Sequence, residues 1–170
     1  MRYPLLLAAV TLGVSPALAQ NPESPRPIGQ ISLLAGPSPY DLGGVGTAFA
    51  MNLGFAWRPL HRVLVVEPGL GYLRYTTGLD ARSTWLFPEL SVQAEAHIGS
   101  LRPYLGGGVG QSRWSEGGHS AWDDTIHGVV GARISVFGSW GVRAEMRVRG
   151  IRPGSGSTTD LGFGFTRRIL

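Results

Sequence analysis

The chain has 170 residues, a formal net charge of +4 and no cysteine. This length suits a single domain, and the small, dispersed excess of positive charge argues against nucleic-acid binding. Without cysteine, neither disulfides nor thiolate metal sites can stabilise the fold, and no other motif indicates a cofactor.

The N-terminal residues have the pattern of a secretory signal peptide. Arg2 supplies a positive start, Pro4–Val14 is an apolar run, and Ala17-Leu18-Ala19 forms a small-x-small cleavage site. The run is too short to span a bilayer, and no later run is long enough for a transmembrane helix. Only strands could therefore cross a membrane. The predicted segments are a signal peptide over residues 1–19, a short polar lead over residues 20–27 and one domain over residues 28–170.

Most of the remaining chain alternates between bulky apolar residues and small or charged ones. The pattern is clearest from Thr47 to Trp57, where every second residue is large and apolar. Successive side chains of a strand point to opposite faces, so this period of two predicts a sheet with two unlike faces. Eight strand candidates follow: Ile28–Gly36, Thr47–Arg58, Val63–Tyr75, Thr84–Ile98, Leu101–Trp114, Asp124–Phe137, Trp140–Ile151 and Thr159–Ile169.

The predicted connections alternate between long and short. The long ones are rich in Gly, Ser, Pro and Asp: Pro37–Gly46, Thr76–Ser83, Ser115–Asp123 and Arg152–Thr158. The short ones lie between them: Pro59–Arg62, Gly99–Ser100 and Gly138–Ser139. Outer-membrane barrels show this pattern, with short periplasmic turns and longer outside loops.

Alternation alone does not say which face is outside. A soluble lipocalin-like barrel would bury its apolar face, whereas a membrane barrel turns that face to lipid. The polar faces carry many glycines, including Gly69, Gly71, Gly106, Gly108, Gly110, Gly162 and Gly164. Small residues suit the narrow interior of an eight-stranded barrel, whereas on a water-facing sheet they would weaken the strands. This favours a membrane barrel with the polar face inside.

The charged residues of the polar faces are predicted to form an ionic network in the lumen. Its members are Glu67, Glu89, Gln93, Glu95, Arg133, Arg143, Glu145 and Arg147. Counted from the short turns, several of them lie at similar heights, where opposite charges should pair, since each unpaired charge would cost roughly several kcal/mol. The network is interpreted as a structural plug; a gate for small solutes or a site for a small polar ligand remains an alternative.

Other residues are candidates for aromatic anchors at the membrane interface or for catalytic or metal-binding groups. Trp57 and Trp140 flank short turns and Tyr72 and Tyr75 approach a long loop, as expected for aromatic residues at membrane–water interfaces. His97 could act as an acid or base, but Ser91 on its face is too far along the strand. His119 lies in the Gly-rich segment Glu116–Asp124, whose spacing matches no known calcium loop. No catalytic or metal-binding residues are therefore predicted.

Two segments resemble strands of small bacterial outer-membrane proteins. Arg102–Gly110 is similar to their "PY-x-G-x-G-x-G" strand, and Val142–Arg149 to their late "R-x-E-x-R" strand. The resemblance is to porin-like, OmpA/OmpX-type eight-stranded barrels. It implies roles in adhesion, membrane integrity, resistance or narrow transport; a few such proteins modify lipids. Those proteins usually end in an aromatic residue, whereas this chain ends in Leu170 and places Arg167 on the face of Phe163 and Phe165.

The sequence therefore predicts an all-β fold, an eight-stranded antiparallel up-and-down transmembrane β-barrel in the outer membrane of a Gram-negative-type envelope. The expected role is structural or in surface interaction, without enzymatic activity, cofactor or wide pore. Expected partners are outer-membrane lipid and, during insertion, the barrel-assembly machinery; the protein is expected to be a monomer. The alternatives are a narrow gated channel, a lipid A-modifying enzyme using His97 or His119, and a soluble periplasmic lipocalin-like binder.

Overall fold

A computed structural model describes residues 29–42, 44–58, 63–76, 82–151 and 156–169. The predicted signal peptide and polar lead lie outside the described residues. Within those ranges, no helix is long and apolar enough to cross a membrane. The chain instead forms eight strands: β1 Gly29–Asp41, β2 Val45–Trp57, β3 Leu64–Thr76, β4 Arg82–Glu95, β5 Leu101–Glu116, β6 His119–Phe137, β7 Trp140–Ile151 and β8 Gly156–Ile169.

The eight strands form a closed barrel in which each strand is antiparallel to its chain neighbours. Closure comes from β1 and β8, whose pairing runs from Gly29 opposite Ile169 to Tyr40 opposite Thr158. Closure leaves no sheet edge unpaired, which a membrane requires of strands. The predicted all-β, eight-stranded up-and-down barrel is confirmed.

The two ends of the barrel differ. One end, called here the terminal end, carries Gly29, Ile169 and the short turns at Gly99–Ser100 and Gly138–Ser139. The opposite end is called the far end. Gly99 and Gly138 have positive φ angles of 61° and 52°, a conformation that suits glycine in tight turns.

Several strands extend further toward the far end than the sequence predicts. β1 continues through Pro37 and Pro39 to Asp41. Its pairing with β8 is interrupted between the Ala35–Phe163 and Tyr40–Thr158 pairs, where these prolines lie. A proline lacks the N–H that a ladder needs, so it is tolerated in a strand where one neighbour is not bonded. The predicted loop Pro37–Gly46 is thus mostly strand.

The prediction of a loop over Ser115–Asp123 is also wrong. β5 and β6 continue through it and pair up to Glu116 opposite His119. Only Gly117 and Gly118 form the turn, with φ angles of 56° and 86°. Two consecutive positive φ angles are typical of a type I′ hairpin turn, which Gly-Gly sequences favour.

The faces of the barrel have the polarity of a membrane protein. Large apolar side chains point outward and are exposed, among them Leu53 at 50% and Val130 at 47%. The inner face instead buries charged and amide groups, with Gln93 and Glu95 both at 0% exposure. A water-soluble barrel would show the reverse arrangement. The alternation therefore has the orientation predicted for a membrane barrel.

The inner face changes character along the barrel axis. Its far end holds an apolar cluster of Ala48, Leu73, Trp85, Phe87 and Ile151, against which Tyr40, Leu42, Tyr75 and Trp114 pack. Below this cluster the lumen is filled by charged and amide side chains. The interior is thus closed by apolar packing at the far end and by polar contacts in the middle.

Candidate functional site: the ion-pair network in the lumen

The structure brings all eight residues of the predicted network into the lumen. They come from β3, β4, β6 and β7, and all are buried: Glu67, Glu89, Gln93, Glu95, Arg133, Arg143, Glu145 and Arg147. Alternate residues of β7 point inward, so Arg143, Glu145 and Arg147 lie one above the other along the lumen.

Glu67 is at the centre of the network. Its Oε2 accepts hydrogen bonds from Arg133 Nη2 at 2.9 Å and Arg143 Nη1 at 2.8 Å. Its Oε1 accepts one from Arg143 Nη2 at 2.9 Å and lies 3.5 Å from Arg147 Nη2. One carboxylate therefore contacts three guanidinium groups supplied by two strands.

Tyr104 joins this centre to Glu145. Its hydroxyl donates to Glu145 Oε2 at 2.6 Å and accepts from Arg143 Nε at 2.7 Å. The Arg133 guanidinium carbon lies 4.1 Å from the centroid of the Tyr104 ring, within the range of a cation–π contact. Arg143 also forms a close ion pair with Glu145. The aromatic ring and the carboxylates thus hold two neighbouring guanidinium groups despite their like charge.

Toward the far end the network continues through Arg149. Glu89 accepts from Arg147 Nη1 and from Arg149 Nε, both at 2.6 Å. Arg149 also pairs closely with Asp160 and donates to Asn52 Oδ1 at 2.7 Å. Its guanidinium carbon is 4.6 Å from the Phe87 ring centroid, where the polar layer meets the apolar cluster.

Toward the terminal end the network is based on Glu95. Arg58 Nη2 contacts its two carboxylate oxygens at 2.9 and 3.0 Å, and Arg133 Nη1 donates to Oε2 at 2.6 Å. Gln93 Oε1 accepts from Arg133 Nη2 at 2.7 Å. His97 Nε2 lies 3.6 Å from Glu95 Oε1, and its side chain is 41% exposed at the rim.

The charges in this network are paired. Within 3.5 Å, ion pairs among the described residues join five carboxylates, of Glu67, Glu89, Glu95, Glu145 and Asp160, to five guanidinium groups, of Arg58, Arg133, Arg143, Arg147 and Arg149; a sixth, of Arg102, lies 4.0 Å from Glu95. The central side chains are nearly inaccessible, at 3% exposure for Glu67 and 1% for Arg143. In the part of the chain that the structure describes, these side chains therefore fill the middle of the barrel.

Sequence reasoning missed Arg149, Asp160, Tyr104 and His127. Arg149 continues the alternation of Arg143 and Arg147, so parity alone could have identified it. Asp160 lies four residues inside β8, which begins at Gly156 rather than at the predicted Thr159. Tyr104 was assigned to a family-like motif, although its parity is that of an inward residue.

His127 forms a small polar group with Ser91 and Glu89. Ser91 Oγ and His127 Nε2 are 2.7 Å apart and share a hydrogen bond, while His127 Nδ1 lies 3.5 Å from Glu89 Oε1. Ser91 and His127 are on strands that do not pair, but both are opposite Gly108 of the intervening strand. A Cβ at Gly108 would lie 2.8 Å from the His127 ring, so glycine allows the two side chains to meet.

The serine–histidine–carboxylate order of this group is that of an activated nucleophile. Here, however, Ser91 is 1% exposed and His127 6% exposed. An ester could not reach the serine oxygen in this structure. The sequence predicts that Ser91 lies too far along the strand from His97; the histidine that contacts Ser91 is His127.

The predicted interface aromatics do not all lie on one face. Trp57 and Trp140 are 43% and 42% exposed near the terminal end, and Tyr72 points outward from β3. The prediction of an interface position for Tyr75 is corrected, because its side chain lies on the inner face. Its ring stacks on Tyr40, with the ring centroids 4.3 Å apart. Arg167 lies on the outer face, as its parity predicts, with its guanidinium carbon 5.4 Å from the Trp140 ring centroid.

The fold is shared with proteins of known structure. No model of a known protein family matches the chain, and a search of curated proteins found no match. Solved structures do match. The crystal structure of Neisserial surface protein A (NspA) is 14% identical, covers 83% of this chain and 97% of its own, and gives a TM-score of 0.69.

Two further structures match over similar lengths. Ail, the attachment invasion locus protein of Yersinia pestis, is 13% identical in its complex with sucrose octasulfate, covering 83% of this chain and 97% of its own with a TM-score of 0.58. The outer membrane enzyme PagL is 16% identical, covering 82% and 99% with the same score of 0.58. These proteins share a fold with this chain, that of small outer-membrane barrels, while their own roles differ.

Proposed function

We propose that the protein is an outer-membrane β-barrel with a structural or surface-interaction role. The observation that supports this most strongly is the combination of an exposed apolar outer face with a lumen filled by paired charges. The outer face suits acyl chains, and the filled lumen removes the route that a transporter would use. The barrel would thus present its ends to the periplasm and to the outside.

The hairpin of β5 and β6 is the element best placed for contact outside the membrane. Among the described residues it continues beyond the last pair of β6 with β7, Thr125 opposite Ile151, and the residues from His119 to Asp124 pair with β5 alone. Trp122 on this projection is 56% exposed, and the Arg113 guanidinium carbon lies 5.9 Å from its ring centroid. Exposed aromatic and arginine side chains are common in protein interfaces.

We propose no enzymatic role. PagL shows that an outer-membrane barrel of this shape can be an enzyme. In this chain the group of Ser91, His127 and Glu89 has the order of an activated nucleophile, but it is enclosed in the lumen. A lipid in the membrane would be outside the wall, on the opposite side of β4 from the buried Ser91 hydroxyl.

The purified protein, refolded into a planar lipid bilayer, is expected to give no large, steady conductance. The reason is that the Arg and Glu side chains of the network occupy the lumen, with Glu67, Arg143 and Arg147 at 3%, 1% and 5% side-chain exposure. A porin with a wide lumen, reconstituted in parallel, serves as the positive control. A large and persistent current from this protein would contradict a filled lumen and favour the channel alternative.

A further inference from the structure

A small concavity lies at the terminal end of the lumen. The side chains that shape it include Gln30, Arg102, Arg133, Thr166 and Arg168, contributed by β1, β5, β6 and β8. It opens to solvent beside the turn at Gly138–Ser139. Arg133 forms its inner limit, while Arg102 and Arg168 are half-buried at the entrance.

Positive charge is in excess around this concavity. Glu95 is already contacted by Arg58 and Arg133, at 2.9 and 2.6 Å. Arg102 Nη1 approaches the same carboxylate only to 4.0 Å. The five carboxylates of the network are already paired with five other guanidinium groups. Arg102 and Arg168 therefore add positive charge at the terminal end that no described carboxylate of the network neutralises. Like charges held together in a poorly hydrated site repel one another unless an anion joins them.

Hydrogen-bond donors at this place are also unused. Arg133 is 2% exposed, and its Nε–H has no partner among the described residues. The Nε–H of Arg102 is likewise without an acceptor. A guanidinium group offers donors in a planar fork that matches two oxygens of a carboxylate or phosphate. The unpaired N–H groups and the excess positive charge would both be satisfied by a negatively charged hydrogen-bond acceptor.

We propose that the terminal end of the lumen is a binding site for a small oxyanion of the phosphate type. Arg102 and Arg168 contact the anion at the entrance, and the Thr166 hydroxyl, which also lacks a partner, adds a neutral hydrogen bond. Arg133 adds charge from behind while it keeps its own ion pairs with Glu67 and Glu95. A water molecule could satisfy the donors but would not offset the charge. The site does not depend on the role proposed for the protein.

The test is calorimetric titration of inorganic phosphate into the full-length, folded protein in a nonionic sugar detergent. One site is expected, and the double variant Arg102→Gln/Arg168→Gln should weaken binding at least tenfold. The matched control is Arg74→Gln/Arg113→Gln, which removes the same charge from exposed positions near the far end. The control should change affinity less than twofold. Equal weakening in both double variants, or no binding to the unaltered protein, would overturn the proposal.

Folding and ligand source are tested separately. Gel mobility with and without boiling reports whether each variant is folded. If the double variant does not fold, Arg102→Lys replaces it, because lysine keeps the charge but loses the planar fork, and affinity should still fall severalfold. Unchanged affinity in that variant would count against the site. A short-chain phosphatidylglycerol added before phosphate then distinguishes the sources: competition identifies a lipid headgroup, and undisturbed phosphate binding identifies a free anion.

Discussion

Replacing Glu67 by leucine is expected to lower the free energy of unfolding by about 3–5 kcal/mol, the usual cost of removing one partner of a buried ion pair. Glu67 contacts Arg133 and Arg143 at 2.9 and 2.8 Å and lies 3.5 Å from Arg147. Without it, three guanidinium groups would remain together in a space that water hardly reaches. Urea unfolding of the barrel in lipid vesicles, followed by tryptophan fluorescence, measures the change.

The control for this variant is Glu116→Gln. Glu116 also carries a negative charge, but it lies at the rim of the far end and accepts one hydrogen bond, from Ser83 Oγ at 2.5 Å. Its replacement should change stability by less than about 1 kcal/mol, the typical contribution of a single hydrogen bond, because the glutamine amide oxygen can still accept from Ser83. Equal effects from the two substitutions would mean that the network does not stabilise the lumen as described.

Replacing Val130 by arginine is expected to destabilise the membrane-inserted barrel by about 2–4 kcal/mol, as for cationic residues placed on the lipid face of such barrels near the bilayer midplane. Val130 is 47% exposed in the middle of β6, opposite Leu105 on one side and Met146 on the other. The new charge would have only apolar neighbours and acyl chains around it. The measurement is the same urea titration in vesicles.

Ser120→Arg is the matched control on the same strand and face. Ser120 is exposed beyond the last described pair of β6 with β7, opposite Ser115 of β5. An arginine there is expected to have little effect, since it would remain in water. If Val130→Arg were as mild as this control, the outer face would not be in contact with lipid.

Local alternation was enough to predict which side of each strand is apolar. In β2, Phe49, Met51 and Leu53 are all exposed, while Ala50 and Asn52 are buried. The same rule placed Arg143, Glu145 and Arg147 of β7 together on the inner face. Parity is a property of the strand itself, so it needs no knowledge of the neighbouring strands.

The partners of those side chains could not be predicted, because they depend on register and closure. Arg143 on β7 meets Glu67 on β3, a contact across the barrel between strands that are not neighbours. Similarly, Ser91 meets His127 only because both lie opposite Gly108. Neither contact leaves a signal in the spacing of the sequence.

The prediction of a uniformly polar lumen was incomplete. Trp85 and Phe87 share the inward parity of Glu89 on β4, yet they are aromatic and buried, at 6% and 0% exposure. The inner face therefore changes from apolar to ionic within one strand. A rule that assigns one polarity to each face misses this change, although the change closes the far end of the lumen.

The absence of cysteine allows the orientation of the barrel to be measured directly. Single cysteines at consecutive positions of β2, from Ala50 to Phe55, would carry a nitroxide label in lipid vesicles, and collision rates with oxygen and with a water-soluble nickel reagent would be recorded. Met51, Leu53 and Phe55 should show high oxygen and low nickel accessibility, because they face acyl chains, while Ala50, Asn52 and Gly54 should be protected from both reagents. High nickel accessibility at Met51, Leu53 and Phe55 would place that face in water and contradict the account.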